Sequence, residues 1–483
     1  MSNQILRREF LKGGLAGAVV FGFDPWNRSW VTETSAQFGV ELPPLDGALL
    51  TDPASLNAAA GDFGHIVSRQ PVAVLKPGSV DDIIRMTQFA RRHGLKIGAR
   101  GQGHTAFGQS QVEAGIVVDM SALNTPPRLI DGRVEAGAGV MWRTALSAAL
   151  AHGLRPPIVT GFLGLTVGGT LSVGGIDGGS FRFGAQVDNV LELQVVTGEG
   201  RLETCSASRK PDLFEATLAG LGQCAIIVRA TLKLVPAETH ARVFLLFYAG
   251  LGAMLSDERL LISDERFDSV VGFVVPSPGG GWVYFIEAAR FFTPPAMPPS
   301  ADLLAGLSFL PGSEQITDVS YFDFANRVGP QIEELKANGR FNLPHPWFDV
   351  FVPDSEIDDY GGDILATLTP DDLGPDFPIL FFPLKSENFT RPMLRVPDED
   401  VFFLFDILRT APDDSAVVDA MVASNRELFE LARNLGGKHY TISAIPLSQH
   451  DWKRHFRPLW GRLVSAKSHF DPDNVLTPCP GIF

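Results

Sequence analysis

The hydrophobic pattern after residue 70 combines short apolar runs with a well-delimited helical stretch. Val72–Leu75 is an apolar run of strand length. In the segment that follows, apolar side chains recur at helical spacing; Ser79 can cap its first turn, and Gly94 can end it in left-handed backbone. The pattern therefore predicts a strand at 72–75 and a helix between Ser79 and Gly94.

The same hydrophobic patterns, those typical of strands and of helices, predict further elements. The sequence predicts strands at 96–99, 116–120 and 134–136, a helix at 141–152, a hairpin of strands 190–197 and 201–205, and an amphipathic helix at 417–435. Long regular alternation of strand and helix is absent from this pattern. The elements therefore indicate a mixed α+β chain and not a doubly wound sheet.

Length and loop composition indicate two lobes. A chain of 483 residues is longer than one typical domain, so two lobes of roughly 200 residues each are expected. Segments rich in Pro and Gly become frequent after Pro236. We therefore place the boundary between the lobes near this residue.

Charge and motif content exclude several functions. Asp and Glu outnumber Lys and Arg by 55 to 40, which argues against a surface that tracks nucleic-acid phosphates. The 3 cysteines form neither a CxxC pair nor a disulfide framework. Sequence motifs for a zinc site, a phosphate-binding P-loop or a nucleophile elbow are absent, so no metal site is predicted.

The N-terminus has its own pattern. Arg7 and Arg8 precede Phe10–Lys12 and a weakly apolar stretch at 13–23, which resembles a twin-arginine export signal and is too short to span a bilayer. An amphipathic terminal helix is the alternative interpretation. We predict an export signal at 1–36, passage of the folded, cofactor-loaded chain through the twin-arginine machinery, a periplasmic or extracellular location, and no permanent membrane span.

The loop Arg100–His104 joins glycines to a histidine. Glycines let backbone N–H groups approach a pyrophosphate closely. The loop is not the dinucleotide-binding GxGxxG motif, because Ala106 stands where that motif has its third glycine. By itself, the loop is also compatible with a tight turn that carries a structural histidine.

Longer strings resemble a known family. Arg100–Gln109, Gly115–Met120, Leu165–Ser172 and Asn189–Leu193 are similar to strings of cytokinin dehydrogenases and their bacterial relatives, within the vanillyl-alcohol-oxidase (PCMH-type) flavoproteins. Further landmarks are Asp212–Phe214, Gly220–Gln223, His345–Trp347, Asp451–Phe456, Phe470–Pro472 and the terminal Ile482-Phe483. The resemblance covers nearly the whole chain after the N-terminal signal.

The resemblance implies a two-lobed α+β fold. It implies an FAD-binding domain at 37–240 made of two α/β subdomains, a substrate-binding domain at 241–445 with an antiparallel sheet flanked by helices, and a segment at 446–483 that returns to the FAD lobe. It also implies FAD bonded covalently to His104. The other residues implied to contact FAD are Ala99, Gly101, Gly103, Thr105, Gln109, Thr166, Ser172, Ile176 and Ile227.

The resemblance breaks where the substrate is implied to bind. The family aspartate that takes the proton of the substrate amine is Gly161 here, a family glutamate is Val271, and a family glutamine is Pro480. Glycine has no side chain that can accept a proton. We therefore expect a less polar or differently oriented substrate and a relocated base. The unranked candidates for this base are Asp177, Tyr321, His345 and Tyr440.

Three functions agree with these observations. The first is an FAD-dependent oxidase or dehydrogenase that transfers a hydride to flavin N5 from a C–H next to nitrogen or oxygen of a small organic substrate. The second is cytokinin dehydrogenase activity proper, with another residue or solvent as the base. The third is a flavin-binding protein without turnover.

Overall fold

The computed structural model describes residues 22–24, 29–31 and 40–483. The twin arginines and most of the predicted export signal at 1–36 lie outside the described residues. The first strands, β1 (Gly22–Asp24), β2 (Ser29–Val31) and β3 (Val40–Glu41), form an antiparallel sheet with β1 at its centre. Among the helices of the described ranges, none is both long enough and apolar enough to cross a bilayer.

A four-stranded sheet comes next and carries the glycine-rich loop. Its elements are β4 (Ala48–Leu50), α1 (Pro53–Ala60), β5 (Ala73–Lys76), α2 (Val80–Arg92), β6 (Ile97–Arg100) and β7 (Ile116–Asp119). β7 lies between β5 and β6, parallel to both. The Ser79 hydroxyl accepts a hydrogen bond from Asp82 N, and Gly94 has a φ of +64°. The predicted strands and the predicted helix are therefore confirmed.

A five-stranded antiparallel sheet follows, with the strand order β12-β11-β13-β9-β8, together with the separate pair β10-β14. The strands are β8 (Arg128–Ile130), β9 (Arg133–Gly137), β10 (Leu154–Arg155), β11 (Val190–Thr197), β12 (Leu202–Ser206), β13 (Ala225–Lys233) and β14 (Val235–Pro236). The helices are α3 (Trp142–Leu150), α4 (Val167–Leu171), α5 (Ser180–Phe183) and α6 (Pro211–Thr217). The predicted hairpin and the helix predicted at 141–152 are confirmed.

The remaining strands form an eight-stranded antiparallel sheet in the order β18-β15-β17-β16-β20-β21-β19-β22. They are β15 (His240–Tyr248), β16 (Ser269–Pro276), β17 (Trp282–Phe292), β18 (Gln315–Ser320), β19 (Phe348–Pro353), β20 (Ile379–Lys385), β21 (Val401–Ile407) and β22 (Lys438–His439). The helices are α7 (Leu251–Asp264), α8 (Ser300–Leu304), α9 (Tyr321–Ala325), α10 (Gly329–Ala337), α11 (Ile357–Thr367) and α12 (Ser415–Asn434). The helix predicted at 417–435 is thus confirmed.

The two faces of this sheet have different roles, because successive side chains of a strand point to opposite faces. In β16, Val270 and Val274 pack against α7, α11 and α12 in one core, whereas Val271 faces a cavity. In β21, Phe405 belongs to the same core and Asp406 lines the cavity. The antiparallel sheet flanked by helices that the resemblance implies is therefore confirmed.

The C-terminal residues contact the four-stranded sheet. After α13 (Gln449–His455) and α14 (Trp460–Phe470), Leu476 forms a parallel bridge with Ile97 of β6. Lys467 Nζ also donates a hydrogen bond to the carbonyl of Gln223 at 2.7 Å. These contacts agree with a returning C-terminal segment, while the domain limits at 240 and 445 stay predictions.

Candidate active site

A cavity lies between the glycine-rich loop after β6 and the open face of the eight-stranded sheet. The loop, α4 and β13 supply one wall, called here the cofactor wall, and β16, β19, β20 and β21 supply the other, called here the substrate wall. All the residues predicted to contact FAD line this cavity: Ala99, Gly101, Gly103, His104, Thr105, Gln109, Thr166, Ser172, Ile176 and Ile227. Residues far apart in sequence therefore meet in one place.

The backbone of the loop offers unpaired hydrogen-bond donors to the cavity. The carbonyls of Gly103 and Thr105 accept hydrogen bonds from Phe63 N at 2.8 Å and Gly64 N at 3.0 Å. The N–H groups of residues 102–105 have no acceptor within the part of the chain that the structure describes. A series of backbone N–H groups without partners is suited to an anion such as a pyrophosphate.

Two glycines of the loop are required by the space around them. A Cβ added to Gly101 would lie 2.1 Å from Thr166 Oγ1, which is itself buried and without a hydrogen-bond partner in the described chain. Gly103 has a φ of +63°, and a Cβ there would lie 2.3 Å from the Arg100 guanidinium. Glycine at 101 therefore lets the loop approach Thr166, at the start of α4, and glycine at 103 permits the left-handed backbone beside Arg100.

A buried carboxyl group holds the loop from behind. Asp62 is 3% exposed and accepts hydrogen bonds from Thr105 Oγ1 at 2.8 Å and from Gly108 N at 2.6 Å. Burial raises the pKa of Asp62 to about 6, although these hydrogen bonds act in the opposite direction. Sequence analysis missed this residue, since it lies about 40 positions before the loop and stands in no motif.

Gln109 connects the loop to the segment that follows β22. Its amide nitrogen donates to the carbonyls of Thr441 at 3.2 Å and Ser443 at 3.0 Å, and its amide oxygen accepts from Phe107 N at 2.8 Å. Both amide hydrogens are thus used within the protein. Gln109 lines the cavity as predicted, but its side chain fixes the loop in place more than it offers donors to a ligand.

His104 sits in an aromatic environment at the edge of the cavity. Its ring centroid lies 4.1 Å from that of Phe63, 5.3 Å from that of Phe162 and 5.7 Å from that of Trp347. Burial, followed by the influence of His345 and Lys336, lowers the pKa of His104 to about 3. The imidazole is therefore neutral at physiological pH and keeps a nitrogen lone pair.

Of the three positions at which the resemblance breaks, two line the cavity and one does not. Gly161 and Val271, where the resemblance implies family acids, both line the cavity. Pro480 is not part of the cavity lining, and its carbonyl accepts a hydrogen bond from Trp452 Nε1 at 2.7 Å. Two of the three departures thus bear directly on the cavity.

The four candidate bases lie in different places relative to the cavity. Asp177 and Tyr440 line the cavity, whereas Tyr321 and His345 do not. His345 Nδ1 is bonded to the Phe63 carbonyl at 3.1 Å, and burial lowers the pKa of His345 to about 4. The Tyr440 hydroxyl accepts a hydrogen bond from Gly175 N, and burial raises the pKa of Tyr440. Burial likewise raises the pKa of Tyr321, to about 12.

Sequence analysis missed two acids of the substrate wall. Asp349 of β19 and Asp406 of β21 are register partners, 1% and 6% exposed, and both line the cavity. Burial raises the pKa of Asp349 to about 7, and burial together with the Asp349 charge raises the pKa of Asp406 further. The pair therefore holds a proton near neutral pH. An acid inside an apolar strand, as in Phe348-Asp349-Val350, was the available sequence signal.

The chain matches two family models. The model described as "FAD binding domain" matches residues 71–206, which include the glycine-rich loop and α4. The model described as "Cytokinin dehydrogenase 1, FAD and cytokinin binding" matches residues 274–483. Together they cover residues of both walls of the cavity.

Characterised and uncharacterised proteins are similar to the chain over most of its length. An uncharacterized oxidoreductase, ORF5 in the fasciation locus of Rhodococcoides fascians, is 38% identical over 434 residues, which are 90% of this chain and 98% of that protein. Cytokinin dehydrogenase 5 of Oryza sativa subsp. japonica is 34% identical, covering 90% and 91%. Cytokinin dehydrogenase 4 of Arabidopsis thaliana is 34% identical, covering 91% and 93%.

A solved structure shares the fold. The 6-hydroxy-D-nicotine oxidase of Arthrobacter nicotinovorans superposes with a TM-score of 0.68 at 18% identity, covering 89% of this chain and 96% of that one. The matched FAD-binding region and the named oxidoreductase relatives define an FAD-dependent oxidoreductase. The chain belongs to the cytokinin dehydrogenase family.

Proposed function

We propose that this chain oxidises a small amine with FAD bonded to His104, and that this amine is not a cytokinin. The observation that carries the proposal is the composition of the cavity: it has a glycine-rich wall suited to a dinucleotide, and its positions 161 and 271 carry no acid. Bound FAD supplies a two-electron acceptor for a hydride from the carbon next to nitrogen.

The cofactor wall fits FAD. The free N–H groups of residues 102–105 would hold its pyrophosphate, and Gly101 and Gly103 allow that close approach. The neutral imidazole of His104 is the group required for a bond to the flavin ring. In addition to Gly101, Gly103 and His104, the residues that would line the cofactor are Ala99, Thr105, Gln109, Thr166, Ser172, Ile176 and Ile227.

The substrate wall favours an amine over an acid or a highly polar ring. Val271, Phe273 and the alternate residues of β20 and β21 make it largely apolar. Asp349 and Asp406 of this wall and Asp177 line the cavity, together with Arg327 and, at the cofactor wall, Arg100. Asp349 and Asp406 share a proton near neutral pH and Asp177 is paired with Arg327, so these carboxyl groups offer hydrogen-bond acceptors to an amine and disfavour a carboxylate.

Cytokinin dehydrogenase activity proper is the second candidate. It is favoured by family membership and by relatives that carry this name over about nine tenths of the chain. Gly161 and Val271 argue against it, because two polar contacts to the substrate are absent from those positions. We therefore rank it behind a different amine.

Anaerobic spectroscopy of the purified protein tests the proposal. The flavin absorbance would be recorded before and after addition of isopentenyladenine, benzylamine, N-methylbenzylamine or benzyl alcohol. We expect bleaching by benzylamine or N-methylbenzylamine, and bleaching by isopentenyladenine alone would contradict the proposal. A flavin band that none of these compounds bleaches would instead support a flavin-binding protein without turnover.

We also propose export by the twin-arginine route to the periplasm or the outside of the cell. Arg7 and Arg8 before a short apolar stretch support it, and a covalent bond prevents loss of FAD outside the cytoplasm. The test is fractionation of cells that produce the wild type or the Arg7→Lys/Arg8→Lys variant. We expect the variant to stay in the cytoplasm, and an unchanged distribution would contradict the proposal.

A further inference from the structure

The geometry points to Asp177 as the group that accepts the substrate N–H proton in place of the missing aspartate at 161; this role rests on the proposed function. A Cβ built on Gly161 lies 3.7 Å from Asp177 Oδ1 and 3.5 Å from Val328 Cγ2. Among the described residues beyond its chain neighbours, nothing else comes within 4 Å of that Cβ. A side chain at 161 would therefore extend towards the space that the Asp177 carboxylate already occupies.

Arg327 orients this carboxylate. Arg327 Nη2 donates to Asp177 Oδ1 at 3.2 Å, and Arg327 Nε forms an ion pair with Glu287 Oε1 at 2.8 Å. Burial alone would lower the pKa of Arg327, but the charges of the two carboxylates outweigh this effect and raise it. Arg327 is thus a permanent cation that pairs with both acids, of which Asp177 lines the cavity.

Glu287 stands beside the second altered position. It is the register partner of Val271 across β16 and β17, and directly opposed residues of an antiparallel pair lie on the same face of the sheet. Each position that lost a family acid therefore has an acid as its direct neighbour: Asp177 beside Gly161 and Glu287 beside Val271. The two acids are bridged by Arg327, so the polar groups of the site are displaced and not lost.

The chemical step balances with these groups. The amine loses a hydride from carbon, with both electrons of the C–H bond, to the flavin, and it loses its N–H proton to the Asp177 carboxylate. The product is an imine with a new C=N double bond. Of the other candidate bases, only Tyr440 reaches the cavity, and its raised pKa keeps its hydroxyl protonated.

The test compares the flavin reduction rates of five proteins, with benzylamine, N-methylbenzylamine and isopentenyladenine as probes. They are the wild type, Asp177→Asn, Asp177→Ala, Gly161→Asp and the double variant Gly161→Asp/Asp177→Ala, each checked for flavin content and thermal stability. The amide oxygen of Asp177→Asn can still accept a hydrogen bond from Arg327, but the amide cannot take up a proton as a carboxylate does. This variant therefore distinguishes a role of Asp177 as proton acceptor from a structural role as the partner of Arg327. The exposed Asp419 gives a matched control, Asp419→Asn.

We expect both substitutions at 177 to slow the limiting rate by about 100-fold or more, the range of general-base catalysis, with a smaller change in the amine concentration at half-saturation. Gly161→Asp alone should also be slow, because two carboxylates crowd one place. The double variant should recover most of the lost rate, since the carboxylate returns to that place from position 161. A purely structural role for Asp177 would give no such recovery.

Two results separate the inference from the function on which it rests. If the wild type is not bleached by any amine, the proposed function is wrong and the role of Asp177 is withdrawn with it. If the wild type is bleached but Asp177→Asn reacts as fast, or the double variant is no faster than Asp177→Ala, the role of Asp177 is wrong and the proposed function stands.

Discussion

The cofactor wall and the substrate wall of the cavity are built in different ways. The cofactor wall presents backbone N–H groups and glycines from short stretches of chain, at 99–109 and 166–176. The substrate wall presents side chains from alternate positions of distant strands, such as Val271, Asp349 and Asp406. The cofactor wall, which is made of backbone, tolerates few substitutions. In the substrate wall, a single substitution can change which groups face the substrate. Substitutions in the substrate wall can therefore change the substrate, while the cofactor wall and the oxidative chemistry stay the same.

The largest expected effect concerns His104. His104→Ala should yield protein from which acid releases all of the flavin, whereas the wild-type flavin stays with the precipitated protein. The reason is that the covalent bond requires the neutral imidazole nitrogen. Absorbance of the acid supernatant is the measurement, with the exposed His152→Ala as the control. Wild-type flavin that dissolves in acid would refute the bond but leave FAD binding intact.

The next effect concerns the backbone approach of the loop. In the His104→Ala background, Gly101→Ala should weaken FAD binding, because its Cβ would lie 2.1 Å from Thr166 Oγ1. Overpacking of this kind costs about 1–3 kcal/mol, or roughly five- to 150-fold in dissociation constant. Titration with FAD measures it. Gly461→Ala, where nothing lies within 4 Å, is the matched control, and equal affinities would contradict the required close approach.

The smallest expected effect concerns the carboxyl pair of the substrate wall. The pKa of Asp349 is raised from its ordinary 3.8 to about 7, so the stability that its proton contributes is full below 3.8 and is lost as the pH rises through about 7. The amide of Asp406→Asn donates a hydrogen bond at every pH. The unfolding temperature of Asp406→Asn minus that of the wild type should therefore increase between about pH 5 and pH 8.

The control for this effect is Asp419→Asn, on the exposed side of α12. Its unfolding temperature should follow that of the wild type at each pH. If the difference between Asp406→Asn and the wild type is the same at both pH values, the two carboxyls do not share a proton.

The two walls also differ in how far the sequence could predict them. The cofactor wall depends on local features: Gly101, Gly103 and His104 stand in one loop, and the strings of residues around them carry part of the family resemblance that singled them out. The helix that begins after Ser79 was likewise predictable from its N-cap. Local physics determines these elements, and the prediction of the loop and its neighbouring strands followed from it.

The substrate wall depends on contacts between residues that are remote in sequence. Arg327 reaches Asp177 across 150 residues, and Asp349 meets Asp406 only through the register of β19 and β21. Neither pairing has a local pattern that predicts it. The resemblance implies that family acids are absent at 161 and 271, but only the folded chain shows which acids stand beside those positions: Asp177 through loop packing and Glu287 through sheet register.

The most direct test of the altered substrate wall is a side-by-side measurement of flavin reduction by isopentenyladenine and by N-methylbenzylamine, both anaerobic and both with the wild-type protein. We predict that the simple secondary amine bleaches the flavin faster, because the acids stand at Asp177 and Glu287, beside and not at the positions 161 and 271 from which the family acids are implied to contact a cytokinin. Faster bleaching by isopentenyladenine would contradict the account and would identify the chain as a cytokinin dehydrogenase that works without those acids.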